Sequence, residues 1–397
     1  MDKRLWTSTT SLLLLSLSTA AKLPSGPLLI GYVDHMADKR GCAHDAIVEA
    51  AHDYNVLIWF SVELQSGGSS AAPRPTVASG LDFDCIANVS STLTRAGLPT
   101  VHLASIGGWG ATHPNTTWNG TQWVDAFVKW NDEVVARPAL GWGGFDGFDW
   151  DIEGVDASLN DTADAIFSLN LLHLMGEMST LARARGGIVF LTACESYLDP
   201  AMNLFDFKIT HESVEPWPFH FPYHGHNTLS YLLAVYREAF DIVQIMLYES
   251  WSRANWQISV VGVPPAAYIE AWARNVIFGW KVDFAYDAYC DIPTQYVNVN
   301  ASQLVLALAN GWANLAPPRP SQNVTKQFRL DVAAVASAYG ALQLDGGPML
   351  RGFAVWDIAA EGAIVAQRNG TTAPLYLGRE LNEFLHTRNR TQQQIPR

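Results

Sequence analysis

Residues Phe145 to Gly154 read FDGFDWDIEG and set four acids, Asp146, Asp149, Asp151 and Glu153, within eight positions. An extended strand alternates its side chains between faces, so 149, 151 and 153 share one face while Phe148, Trp150 and Ile152 share the other. The apolar face calls for covering helices. The opposite face then carries three carboxyls in a row, roughly 6–7 Å apart at a rise of about 3.3 Å per residue. Adjacent like charges that leave water must share protons or bind something, and at least one carboxyl is driven towards its protonated form. A solvated surface strand would carry three acids cheaply, but it would not need an aromatic and aliphatic opposite face flanked by glycines. The stretch reads as a catalytic strand.

The rest of the chain alternates strand and helix around it. Apolar runs at Leu28 to Val33, Val56 to Val62, Thr100 to Ile106, Ile188 to Ala193, Asp241 to Tyr248, Leu304 to Ala309 and Arg351 to Trp356 read as strands. With the acidic strand in fourth place they make eight. Between them, helical periodicity is expected near 43–54, 84–95, 121–135, 161–185, 228–240 and 332–342. Near-continuous apolar strands separated by amphipathic helices imply a parallel sheet covered on both faces. Eight such units imply a single α/β domain, a (β/α)8 TIM barrel with decorated loops, whose site lies at the C-terminal ends of the strands. The short stretch between Ala309 and Arg351 leaves no room for a large insertion domain, so an open cleft is expected.

The N-terminal stretch has early positive charges, an apolar run from Leu12 to Leu17 and small residues from Ser18 to Ala21, the layout of a secretory signal peptide over residues 1–20. The apolar run is too short to span a bilayer. Eight N-x-S/T sequons, at Asn88, Asn115, Asn119, Asn160, Asn300, Asn323, Asn369 and Asn389, agree with a secreted, extracellular glycoprotein. Residues 21–385 form the expected catalytic domain, and the polar stretch 386–397 reads as a disordered tail. A formal charge of −13 argues against nucleic acid and anionic membranes as partners; an uncharged substrate and a monomer are expected. Of four cysteines, Cys42 and Cys85 follow the first two strands and are the preferred disulfide pair, while Cys194 sits in an apolar strand and Cys290 has no assigned role.

The spacing D-x-x-D-x-D-x-E resembles the signature of glycoside hydrolase family 18, the chitinase family. The resemblance extends along the chain: Ser105, Gly107, Gly108 and Trp109 look like the S-x-G-G element that ends the third strand. Gln244, Met246, Tyr248 and Glu249 resemble Q-x-M-x-Y-D on the sixth, Trp356 matches the aromatic floor on the eighth, and Gly31-Tyr32 fits the first. Glu249 departs from the family's Asp, which puts subsite detail in question. The resemblance implies retaining, substrate-assisted hydrolysis in which the substrate's own 2-acetamido oxygen attacks the anomeric carbon. On that reading Glu153 is the general acid, Asp151 holds the acetamido N–H and Asp149 shares its charge or proton. Tyr248 donates to the acetamido oxygen, and Trp356 stacks under the ring. Tyr32, Gln244, Met246, Glu249, Trp109 and Gly108 would line the substrate site, while Asp146, Ser105 and Gly107 are given structural roles.

Neither cofactor nor metal is required by this chemistry, and the His220, His224 and His226 cluster between strands five and six is read as a cleft-lining loop. Three functions compete. The first is an endo-acting chitinase cleaving β-1,4 bonds of chitin or N-acetylglucosamine oligosaccharides. The others are an endo-β-N-acetylglucosaminidase on N-glycan cores and a non-catalytic chitin-oligosaccharide lectin. Retention of Glu153, Asp151 and Tyr248 speaks against the lectin.

Overall fold

A computed structural model of the chain describes residues 22–34, 44–69, 72–154, 167–207, 227–249, 252–286, 290, 292–310, 330–344, 350–362, 365–368 and 371–393. The leader, the His220–His226 cluster and Cys42 lie outside them.

Thirteen strands occur among the described residues: β1 Leu28–Asp34, β2 Val56–Ser69, β3 Ala72–Ser79, β4 Val101–Gly108, β5 Gly147–Ile152, β6 Ile188–Cys194, β7 Ile242–Met246, β8 Trp280–Val282, β9 Gln295–Val297, β10 Leu304–Ala309, β11 Gly352–Trp356, β12 Val365–Arg368 and β13 Thr371–Pro374. Eight of them pair in parallel in the order β1, β2, β4, β5, β6, β7, β10, β11, and β11 returns to β1. The sheet is therefore a closed barrel. Its strands are apolar along their length because both faces leave water: β6 and β10 are buried at every position.

Among the described residues, eight helices follow the barrel strands in turn: α1 His44–Ala51, α2 Phe83–Arg95, α3 Gly120–Trp130, α4 Leu169–Ala184, α5 Ser230–Val235, α6 Pro265–Phe278, α7 Val332–Leu344 and α8 Leu377–Gln393. Several start where a polar side chain satisfies the first free amides. Asp82 accepts from the Cys85 N–H, Ser168 accepts from the Leu171 N–H, and Asn119 forms a reciprocal capping box with Gln122. The fold is the expected single (β/α)8 barrel, and the outward face of the acidic strand packs on helices as alternation requires. The Phe148 ring lies 5.2 Å from that of Phe127 on α3, and Trp150 donates its indole N–H to Ser179 on α4 at 2.8 Å.

Three features differ from expectation. Strand β2 runs on past Val62 to Ser69 and folds back antiparallel on β3, a hairpin the sequence hides behind Pro73 and Pro75. Proline removes a ladder donor but is tolerated on an edge strand, and β3 ends the sheet order. The fourth helix begins at Leu169 rather than near 161, because Ser168 caps it. The polar C-terminal stretch, read as a disordered tail from 386, is helical to Gln393. Leu377, Leu381 and Leu385, spaced at i, i+4, are buried and anchor that helix; extending an existing helix needs no new nucleus. Cys85 is disulfide-bonded, whereas Cys194 and Cys290 are thiols outside any disulfide. No helix among the described residues is long and apolar enough to cross a membrane.

Candidate active site

Strand β5 sends Asp149, Asp151 and then Glu153, one residue past its end, to the inside of the barrel. Register places Ser105 opposite Asp149 and Gly107 opposite Asp151 on one side, and Phe190 opposite Asp149 on the other. All three acids are buried, yet their surroundings differ.

Asp149 is surrounded by hydroxyls. Tyr32 on β1 donates to it at 2.8 Å, Thr192 on β6 at 2.6 Å and Ser105 on β4 at a long 3.4 Å. Gln244 on β7 in turn donates to Tyr32 at 3.2 Å and to Thr192 at 2.8 Å. Burial raises the Asp149 carboxyl, and these donors pull it back to about 6. Asp151 has no comparable set, and its Oδ1 is buried without a hydrogen-bond partner among the described residues. Burial first, then the charges of Glu153, Asp149 and Glu249, hold it well above the usual carboxylate range. Burial and the nearby Glu249 charge push Glu153 up to about 8, eased slightly by the Cys194 thiol, which donates to its Oε2 at 3.5 Å. Burial and neighbouring charge thus favour the protonated forms of Asp151 and Glu153, while the hydroxyl donors favour the ionised form of Asp149.

Tyr248 and Glu249 stand just beyond β7. Tyr248 is buried with its hydroxyl 3.0 Å from the Met246 sulfur, and the Asp151, Glu153 and Glu249 charges reinforce burial in keeping it a phenol. Glu249 is half-buried and acts on Asp151, Glu153 and Tyr248 through its charge. Trp356 ends β11 with its ring 5.5 Å from that of Tyr32 and edge-on to Phe60 at 5.1 Å. Cis peptides follow Phe60 and Trp356.

The glycines after Ser105 let the strands approach. Gly107 has φ +111°, and a Cβ there would lie 2.5 Å from the Asp151 carbonyl oxygen; at Gly108 it would meet the Phe60 ring at 2.2 Å. A left-handed φ costs a non-glycine residue about 1–3 kcal/mol before any clash. Gly107→Ala is therefore expected to displace the Asp151 backbone and to lower turnover about 10–100-fold, more than it lowers thermal stability, since a displacement near 1 Å costs that much in positioning. Paired kinetics and melting curves check this.

The structure thus brings together Asp149, Asp151, Glu153, Tyr248, Glu249, Tyr32, Gln244, Met246, Trp356, Ser105, Gly107 and Gly108. Trp109 stands apart at the rim, 57% exposed. Asp146 lies at the other end of the strand, where it accepts from the His102 N–H at 2.8 Å and splices β4 to β5. A hollow of about 900 Å³ at the N-terminal end, where Arg183 pairs with Asp241, gathers none of these groups.

Sequence reasoning missed Thr192, Cys194, His113 and Tyr197. Thr192 and Cys194 are alternate residues of an otherwise apolar strand, so their parity was the available signal. Tyr197 accepts from the Gly154 N–H at 2.9 Å, and His113 Nε2 bonds the Glu153 carbonyl at 2.8 Å. Neither carries a motif.

The fold and this mouth of carboxyls define a TIM-barrel protein with a buried carboxyl cluster at the C-terminal ends of its strands. Known structures share that fold. The Group IV chitinase of Ostrinia furnacalis matches with a TM-score of 0.51 at 14% identity, over 91% of this chain and 100% of that one. Its complex with allosamidin matches at 0.51 and 13% identity, over 91% and 99%. A GH18 chitinase from Pseudoalteromonas aurantia matches at 0.47 and 12% identity, over 92% and 99%. No family model and no curated protein matches the sequence. At these identities the likeness establishes a chitinase-like fold, and the chemistry rests on the side chains.

Proposed function

We propose that the protein is a secreted glycoside hydrolase that cleaves β-1,4 bonds between N-acetylglucosamine units from within the chain, with retention of configuration. The observation that carries this reading is the inward, buried row Asp149–Asp151–Glu153 beside Tyr248. Four sequons, at Asn88, Asn115, Asn119 and Asn300, have exposed asparagines, in keeping with a glycosylated extracellular chain. One described helix, α7, joins β10 to β11, in keeping with an open cleft and internal cleavage.

The chemistry follows from the environments. Glu153 delivers its proton to the glycosidic oxygen as the bond to the leaving sugar lengthens, and later takes one from the water that completes the reaction. A dedicated carboxylate nucleophile is absent from the scheme: the acetamido oxygen of the substrate forms the bond to the anomeric carbon. The Oδ1 of Asp151 accepts the acetamido N–H, and the Tyr248 hydroxyl donates to the acetamido oxygen. As positive charge develops on that group, negative charge on Asp151 stabilises it, with Asp149 sharing that charge or its proton. Trp356 supplies an apolar floor.

Because the acid must be protonated to act, kcat/KM is expected to fall above about pH 8, with the Glu153 carboxyl setting the basic limb. Glu249→Gln removes the neighbouring charge and should move that limb to lower pH. A limb unmoved by Glu249→Gln would show that the two carboxyls do not sense each other.

Incubation with a chitin hexasaccharide, with products followed by mass and anomeric form, tests the whole reading. Short products that emerge as β-anomers are expected, as is inhibition by allosamidin. Binding without cleavage would support the lectin reading. Release of glycan from a glycoprotein, with the hexasaccharide untouched, would move the substrate to N-glycan cores.

A further inference from the structure

Strand β6 presents two alternate side chains to the acidic strand, one donating through a hydroxyl and the other through a thiol. Thr192 gives Asp149 a hydroxyl at 2.6 Å; two residues on, Cys194 gives Glu153 a thiol at 3.5 Å. Register fixes both, with Thr192 opposite Gln244 and Cys194 opposite Met246 on β7. We propose that Cys194 is a positioning residue of the active site, whose thiol donates the hydrogen bond that orients the Glu153 carboxyl for proton transfer. The inference rests on the acid role proposed for Glu153.

The contrast between the two carboxyls supports it. Both are buried, but Asp149 is met by three hydroxyl donors while, among the described residues, the thiol stands alone against the Glu153 side chain. Donors to a carboxylate favour its ionised form, and sulfur is a weak donor. A hydroxyl at 194 would do to Glu153 what Thr192 does to Asp149, and the acid would release its proton too early. A thiol holds the carboxyl's direction while leaving its proton in place.

The position of the thiol is itself secured. The turn Glu195–Tyr197 follows Cys194 directly, Tyr197 bonds the Gly154 N–H, and Glu195 is held by the Ala254 N–H at 2.9 Å and the Tyr268 hydroxyl at 2.5 Å. The segment after β6 is thus tied to the end of β5 through Tyr197 and to Ala254 and Tyr268 through Glu195. The other titratable groups facing this carboxyl are Asp151 on β5, Tyr197 after β6, and Tyr248 and Glu249 after β7. His113 reaches it through the backbone alone.

The test compares the full-length protein with its Cys194→Ser and Cys194→Ala variants. The titration of Glu153 is followed by carboxyl ¹³C NMR, with Glu153→Gln assigning the signal, beside the pH dependence of kcat/KM on a chitin hexasaccharide. The midpoint is expected to fall by about one pH unit with Ser and to rise with Ala, and the basic limb to move with it. Ala should also lower kcat about 3–10-fold with KM unchanged, since a carboxyl without its donor is less well directed. In the unsubstituted protein, the infrared S–H band of Cys194 should shift as Glu153 ionises. Equal midpoints in all three folded proteins, or an S–H band indifferent to pH, would overturn the proposal. The NMR and infrared readings need no turnover, so they stand even if the hexasaccharide is not the substrate.

Discussion

Glu153→Gln is expected to lower hydrolysis of N-acetylglucosamine oligosaccharides at least about 1,000-fold while leaving the barrel folded and oligosaccharide binding within a few-fold of normal. General acid catalysis by a positioned group supplies about 10²–10⁴ in rate, and here the same carboxyl must also activate the water. The amide keeps the shape of the protonated acid and an oxygen to accept the Cys194 thiol, so no buried donor loses its partner. What it lacks is an exchangeable acidic proton. The loss should therefore fall on kcat and spare KM, the signature of an interaction made only in the transition state. Product mass after long incubation, with binding measured on the same preparation, checks it. Substantial remaining turnover would shift the acid to Glu249, the other carboxyl whose charge reaches this site.

That carboxyl row was legible from sequence because alternation on a strand is a rigid rule: Phe148 and Trp150 could face outward only if Asp149 and Asp151 faced inward. The eight barrel strands were legible for a related reason, since burial on both faces leaves near-continuous apolar runs. Other parts depend on geometry that a single sequence does not display. Thr192 and Cys194 lie within IVFLTAC, where their small size lets them pass as core, and only the register against β7 shows which carboxyl each meets. Tyr197 and His113 act on backbone atoms after β5 from two different loops, so no spacing links them to Glu153. The β2–β3 hairpin was hidden by prolines that an edge strand accommodates. The long helix α8 was hidden by polar residues that extend a helix already anchored by leucines.

Thermal stability is expected to rise as pH falls from about 8 towards 5, the direction in which relief of the net charge of −13 also acts. Burial raises Glu153 and Glu195 to about 8, and Asp146 and Asp149 to about 6. In the unfolded chain all four titrate near ordinary carboxylate values, about 4. A group whose folded pKa lies above its unfolded one stabilises the fold fully below the unfolded value, and that stability is lost as pH rises through the folded value. A tenfold difference in proton affinity between the folded and unfolded chain is worth about 1.4 kcal/mol, so Glu153 alone accounts for on the order of 2–5 kcal/mol across this window. Glu153→Gln is uncharged at every pH and escapes that loss. Its melting temperature should match the unsubstituted protein near pH 5 and exceed it by several degrees near pH 9, so a residue that limits stability in alkali is also the one proposed to carry the reaction. An offset equal at both pH values would mean that the carboxyl reaches water and ionises freely. In that case the burial that lets Glu153 hold its proton would no longer explain how it serves as an acid.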